Sequence, residues 1–399
     1  MPPEFFWLLL PVAAWSGWFA ARRSERRPKR IERSWVPDAE YLRGLNYFLD
    51  DRPDKAVDLF VRVLDVNEET VETHLALGSL FRRRGEVDRA IQVHQNIVAR
   101  TSLSNEQRAR ALLELGEDYM RSGLLDRAES LFQKLLNDPA HEGTALKNLS
   151  LIHQQERGWL AAIDDCRRLE EVAGRSFRTE IAHFYCELAT ESRQEGDAST
   201  AGELLEQALG ADPACARALL MSARLAIQSG RYDRAEELLK CVEERTPSFT
   251  IEIIAPLREC FEARGRLRDL LDYFLEVLGR HPSGRLIIVI ADLFHELDLD
   301  DAAPEFLKRT LATQPSLSGL LKLLQLAAGK MNDCGELASA IELGHSMLDG
   351  AVHYRCKHCG FQGRSLHWRC PGCQNWSSVE PRDQERLAVS HSAAMFISR

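Results

Sequence analysis

The sequence predicts an all-α fold: a long array of short antiparallel helices, preceded by an apolar N-terminal helix and closed by a small metal-dependent C-terminal module. Three observations carry this: an uncharged apolar run near the N-terminus, a repeat of about 34 residues through the middle, and four clustered cysteines near the end.

The apolar run, Phe5 to Ala21, is free of charge for seventeen residues, at the short limit for a helix that crosses a bilayer. Phe5, Phe6, Trp7, Trp15, Trp18 and Phe19 gather towards its two ends, where amphipathic rings favour the headgroup zone. Pro2 and Pro3 suit a helix start, and Pro11 can kink the helix. Glu4 precedes the run, and Arg22, Arg23, Arg26, Arg27, Lys29 and Arg30 follow it. A cleaved secretory signal has the opposite charge order. Residues 1–21 are therefore expected to be a retained transmembrane anchor and 22–36 a basic linker, giving a single-pass membrane protein whose bulk faces the cytoplasm.

Residues 37–350 carry the repeat. Gly44 and Gly78 are 34 apart, as are Ala56 and Ala90, and the alanine slot recurs at Ala128, Ala162, Ala201 and Ala235. Pro213, Pro247, Pro282 and Pro315 follow at spacings of 34, 35 and 33. This is the tetratricopeptide period, and about nine units fit the length. Small residues let the two helices of a unit approach; Tyr47, Phe60, Phe81, Tyr119, Phe132 and Phe274 fill the space beside them. Gly85, Gly123, Gly230 and Gly265 are placed to end first helices. No such unit buries its apolar face alone, so the units are expected to stack into a solenoid that binds other proteins. Tyr41, Phe48, Arg82, Glu117 and Met120 fall at inward positions of early first helices, where packing between units competes with partner binding as their role. The Lys and Asn pattern of carboxylate-clamp repeats is missing: Tyr41, Leu45, Leu75 and Ser79 hold those slots.

Residues 351–382 contain RCKHCGF and WRCPGCQNW, two C-x2-C pairs separated by ten residues. Cys356, Cys359, Cys370 and Cys373 form the ligand set of a closed tetrahedral site, with no position left for an activated water. One Zn(II) or Fe ion satisfies that set, as in a zinc ribbon or a rubredoxin, and spacing does not separate the two metals. Gly360 and Gly372 are expected to permit the tight turns, Arg355, Lys357 and Arg369 to offset the thiolate charge, and Phe361, Leu366, Trp368 and Trp376 to supply a minimal core. His353, His358 and His367 are surplus to four thiolates. The tail, 383–399, matches no motif.

Composition narrows the function. A net charge of −9 disfavours nucleic acid, which needs a basic surface. The six other cysteines, Cys166, Cys186, Cys215, Cys241, Cys260 and Cys334, stand singly, as thiols do in a reducing compartment. Phosphate-loop and nucleophile-elbow motifs are absent, and the His295–Glu296 run has Leu299 where a metalloprotease needs its second histidine. These features point to a binding protein with no catalytic residues.

The segments LLLPVA, DKAVDLF, GEVDRAIQVHQ, EIAHFYCELA, CKHCGF and WRCPGCQNW together resemble the lipopolysaccharide assembly protein B family. The resemblance runs end to end. It implies an inner-membrane regulator of lipopolysaccharide synthesis that acts as an adaptor between the FtsH protease and the LpxC deacetylase, promoting LpxC degradation, and that associates with lipopolysaccharide transport proteins. A general envelope-assembly scaffold and a rubredoxin-like electron carrier are the alternative readings.

Overall fold

The computed structural model describes residue 47 and residues 70–101, 103–329, 335–349 and 353–382. Sixteen α-helices and one small sheet lie among them. The chain divides into two units, residues 1–122 and 123–399.

The first unit holds α1 (Val71–Arg83), α2 (Val87–Val98) and α3 (Asn105–Ser122). Val71, Phe81, Ala90, Ile97 and Ala111 are fully buried between them. Gly78 shows why the repeat needs a small residue: a Cβ there would lie 2.2 Å from His94 Nε2. His94 cannot retreat, because its Nδ1 bonds Asp118 and its Nε2 faces the Leu75 carbonyl at 3.3 Å. Arg82 pairs with Glu114, Glu117 and Asp118 at 2.6–2.8 Å. Two of the inward positions, Arg82 and Glu117, thus serve packing between α1 and α3, and Met120 is half-buried. Tyr41, Phe48 and Phe60 lie outside the described residues.

The second unit continues with α4 (Leu125–Leu135), α5 (Glu142–Gln155), α6 (Trp159–Ala173), α7 (Arg178–Gln194), α8 (Ala198–Ala211), α9 (Ala216–Gln228), α10 (Tyr232–Arg245) and α11 (Thr250–Ala263). It ends with α12 (Leu267–Arg280), α13 (Gly284–Glu296), α14 (Ala302–Thr313), α15 (Leu317–Ala328) and α16 (Gly335–Asp349). Each helix packs on the next, and α7, α9, α11, α13 and α15 also touch in succession, forming a continuous row of first helices. The alanine slots Ala128, Ala162, Ala201 and Ala235 are buried, as helix pairs closing at short range require. Gly123 and Gly230 turn the chain with φ of +77° and +71°, yet Arg157 and Asp298 adopt the same left-handed region elsewhere. A backbone requirement thus persists where the glycine signature does not, at a conformational cost that stacking offsets.

The isolated cysteines behave as core. Burial pushes Cys166 and Cys260 up to about 11, keeping them as unreactive thiols. Cys186 and Cys215 are buried too, Cys241 is half-buried, and Cys334 lies outside the described residues.

The expectation of a single-pass membrane protein needs correction. Among the described residues no helix is long and apolar enough to cross a membrane. The longest, α3 with 18 residues, carries charged side chains at Arg108, Arg110, Glu114, Glu117 and Asp118, which a bilayer core would not tolerate. The run Phe5–Ala21 and the basic linker lie outside the described residues.

Two outcomes test this packing. Gly78→Ala gains about 1 kcal/mol of helix propensity, but the pinned imidazole should turn this into a net loss of about 1–3 kcal/mol by urea unfolding. In the second unit His153 Nδ1 meets Asp165 at 2.7 Å, and that hydrogen bond holds the imidazole pKa above its ordinary 6.5. Because the folded value is the higher one, the pair stabilises fully below 6.5 and loses this as pH rises through the raised value. Melting curves between about pH 6 and 8.5 should show the loss, and His153→Gln should flatten it.

Candidate metal centre and its seat on the repeats

The C-terminal module is a three-stranded antiparallel sheet of β1 (Tyr354–Cys356), β2 (Gln362–Gly363) and β3 (Val379–Pro381), in the order β2-β1-β3. Tyr354 pairs with Gly363 on one side and Pro381 on the other, and Cys356 pairs with Val379. Two tight turns present the cysteines. In the first, Gly360 N–H donates to the Cys356 carbonyl at 3.0 Å and Cys359 N–H points at Cys356 Sγ at 3.4 Å. In the second, Gln374 N–H donates to the Cys370 carbonyl at 2.9 Å. Gly360 takes φ +78°, as expected of it, but in the second turn the left-handed residue is Gln374 at +61°. Gly372 has another use: a Cβ there would sit 3.3 Å from Cys359 Sγ.

The four sulfurs of Cys356, Cys359, Cys370 and Cys373 lie within 4.8 Å of one another. Cys356 and Cys373 are 3.7 Å apart, and Cys359 and Cys370 are 3.6 Å apart. A tetrahedral ion with bonds of about 2.3 Å requires sulfur separations of about 3.8 Å, so the donor set fits such an ion in size and chemistry. Desolvation opposes ionisation of Cys356, but the Ser378 hydroxyl and the N–H groups of Cys359 and His358 outweigh it and bring the thiol down to about 5. Among the described residues no histidine joins the cluster; His367 Nε2 lies 3.2 Å from Ser365 Oγ.

Two of the three cations expected to offset thiolate charge are engaged elsewhere. Lys357 binds Glu380 at 2.9 Å, while Arg369 donates to the Gln374 carbonyl at 3.2 Å and lies over the Trp376 ring. The expected aromatic core is also differently used. The module's own buried core is Cys356, Cys370 and Val379, with Phe361 packed against it. Trp368 and Trp376 face the repeats instead. A sheet of two- and three-residue strands has no interior that could hold an indole.

The seat is specific. Trp376 Nε1–H donates to Gln154 Oε1 on α5 at 3.1 Å. Its ring stacks on His183 of α7 at 5.0 Å between centroids and meets Phe184 edge-on at 5.8 Å and Trp159 at 6.5 Å. Trp368 stacks on Phe249, before α11, at 5.5 Å, and Tyr354 Oη donates to Glu252 at 2.8 Å. His183 is fully buried, and neither ring nitrogen has a hydrogen-bond partner. Burial, with a smaller effect of nearby Arg217, pushes it down to about 3, so the imidazole under Trp376 is neutral. Expected to dock on the repeats and cover the apolar end of the last unit near Gly350, the module does dock on them, but its seat is at Gln154, His183, Phe249 and Glu252. The one visible signal of that seat was two tryptophans in a module too small to bury them.

Known proteins agree with these features. A family described as "Rubredoxin metal binding domain" matches residues 354–381, and families described as "Tetratricopeptide repeat" match 73–108 and 192–250. The lipopolysaccharide assembly protein B of Escherichia coli K12 is 35% identical over 95% of this chain and 98% of its own length. This chain belongs to the lipopolysaccharide assembly protein B family. The Haemophilus influenzae member is 34% identical over 95% of this chain and 98% of its own. Among solved structures, a tetratricopeptide repeat protein from Parabacteroides merdae aligns with a TM-score of 0.32 at 16% identity, over 69% of this chain and 99% of that one.

For this family member, Trp376→Ala should cost about 2–4 kcal/mol, at or below the range for fully buried aromatic truncations. Calorimetry should show the module melting apart from the helices, with α5 and α7 amides exchanging faster.

Proposed function

We propose that the chain is a non-enzymatic adaptor in lipopolysaccharide biosynthesis, which binds the FtsH protease and the LpxC deacetylase and promotes degradation of LpxC. The observation that carries this is the tetrathiolate module seated on the row of first helices, in a chain that belongs to the lipopolysaccharide assembly protein B family. Rows of first helices are surfaces on which repeat proteins hold partners. Here the seat spans from Gln154 on α5, across His183 on α7, to Glu252 on α11. Preorganised in this way, the surface loses less entropy on binding a partner.

Within this reading Cys356, Cys359, Cys370 and Cys373 hold one Zn(II) or Fe ion. When bound, the ion supplies cross-linking of the two turns, and with four protein ligands it offers no open position for substrate. The chain's own residues do the remainder: β1 and β3 align Tyr354, and the loops carry Trp368 and Trp376 to their seats. Metal binding is then coupled to folding of the module, on the order of 10 kcal/mol in comparable sites.

Two measurements decide the matter. The double variant Cys356→Ser, Cys359→Ser should lose its metal and lengthen the LpxC half-life in cells, at protein levels matched to wild type. Unchanged LpxC turnover on deletion of the whole chain would sink the adaptor reading. Metal analysis and visible absorption of the purified protein distinguish iron, which is coloured in a tetrathiolate site, from colourless zinc.

A further inference from the structure

A cleft of about 960 Å³ runs between the repeats and the edge of the metal module. One wall comes from α5 and the α6–α7 connection, with Lys147, Leu151, Arg175 and Phe177; the other comes from the module, with His358 and Asn375. It is composite: without the docked module one side is missing. Its volume is at the upper end of what pockets for small molecules enclose, about 300–1,000 Å³, and it is large enough for a peptide of several residues.

The charges lining it are unequal in how they are engaged. Lys357 is paired with Glu380, and Asp212 accepts from Thr179 Oγ1 at 3.1 Å. Lys147 and Arg175 are exposed and have no ion-pair partner among the described residues. The Arg175 guanidinium lies 5.0 Å from the Phe177 ring centroid. With the guanidinium carbon over the ring, its N–H groups can meet a carboxylate in bidentate fashion. Beside them Leu151, Phe177 and the flank of Trp376 offer apolar contact, and the Asn375 side chain can bond a peptide main chain. The opposing element is Glu180 in the first turn of α7, an acid with no ion-pair partner among the described residues that would repel a second carboxylate.

We propose that this composite cleft is the docking site for an extended peptide segment of the partner protein, which places an acidic side chain on Arg175 and Lys147 and an apolar one against Phe177 and Trp376. The inference rests on the adaptor reading and adds the surface and the chemistry of the bound segment. It also ties recognition to the state of the module, since His358, Asn375 and Trp376 reach the cleft only in the docked arrangement.

The experiment measures binding of purified LpxC to the full chain, wild type and three variants, at low and moderate salt. Arg175→Glu and Lys147→Glu lie on exposed positions and should leave helical content and melting unchanged. Each should weaken binding by about tenfold or more and reduce its salt dependence. Glu180→Gln should tighten binding, which a purely structural role for this wall would not produce. If wild type binds and both reversals bind equally well, the cleft assignment is overturned while the adaptor reading stands. If Glu180→Gln leaves binding unchanged or weakens it as the reversals do, the acidic occupant is wrong. If wild type does not bind at all, the adaptor reading and the cleft fall together.

Discussion

The second unit depends on one packing constraint: the metal module cannot bury its own tryptophans. Its core is two cysteines and a valine, with Phe361 alongside. An indole left in water forfeits roughly 25 cal/mol for each Å² of apolar surface that could be covered. The repeats have the converse need. Trp159 on α6, His183 and Phe184 on α7 and Phe249 just before α11 form an aromatic floor, and Trp368 and Trp376 cover it. Each part completes the other, so a small module far along the sequence reaches back 222 positions to Gln154.

This arrangement gives the tetrathiolate site a consequence beyond its own fold. Leu366 and Trp368 lie between the two cysteine pairs, Trp376 three residues after the second, and Tyr354 two before the first. Each of these side chains thus sits on a loop or strand next to the four-cysteine cluster. Neutral His183 belongs to the same logic. A charged imidazole at that depth would need a counterion, and its surroundings offer the cation Arg217. The neutral ring can stack on Trp376 at the cost of unpartnered nitrogens, a cost the aromatic contacts must exceed.

The first unit shows how the repeat enforces close approach by a different means. Gly78 brings α1 against His94, and a polar network of Arg82, Glu114, Glu117 and Asp118 binds α1 to α3. Such networks hold register well but tolerate loss of a member poorly, because the remaining buried charge is left uncompensated.

By itself the sequence determined what local periodicity and ligand spacing can encode. An alanine slot recurring every 34 to 39 residues implied closely packed helix pairs, and Ala90, Ala128, Ala162, Ala201 and Ala235 are buried as that requires. Two C-x2-C pairs implied one cluster, and the four sulfurs meet within 4.8 Å. The composition of the module, in contrast, invited Trp368 and Trp376 into its core and Lys357 and Arg369 towards the thiolates. Tertiary structure decided otherwise, because which surface a side chain buries depends on what lies across from it, and neither Phe249 nor His183 is near the module in sequence. The second-turn residue Gln374, the left-handed Arg157 and Asp298, and the cleft between Arg175 and Asn375 were likewise settled only by long-range packing. Local sequence fixes what a segment can form; the partner that covers it is chosen by the rest of the chain.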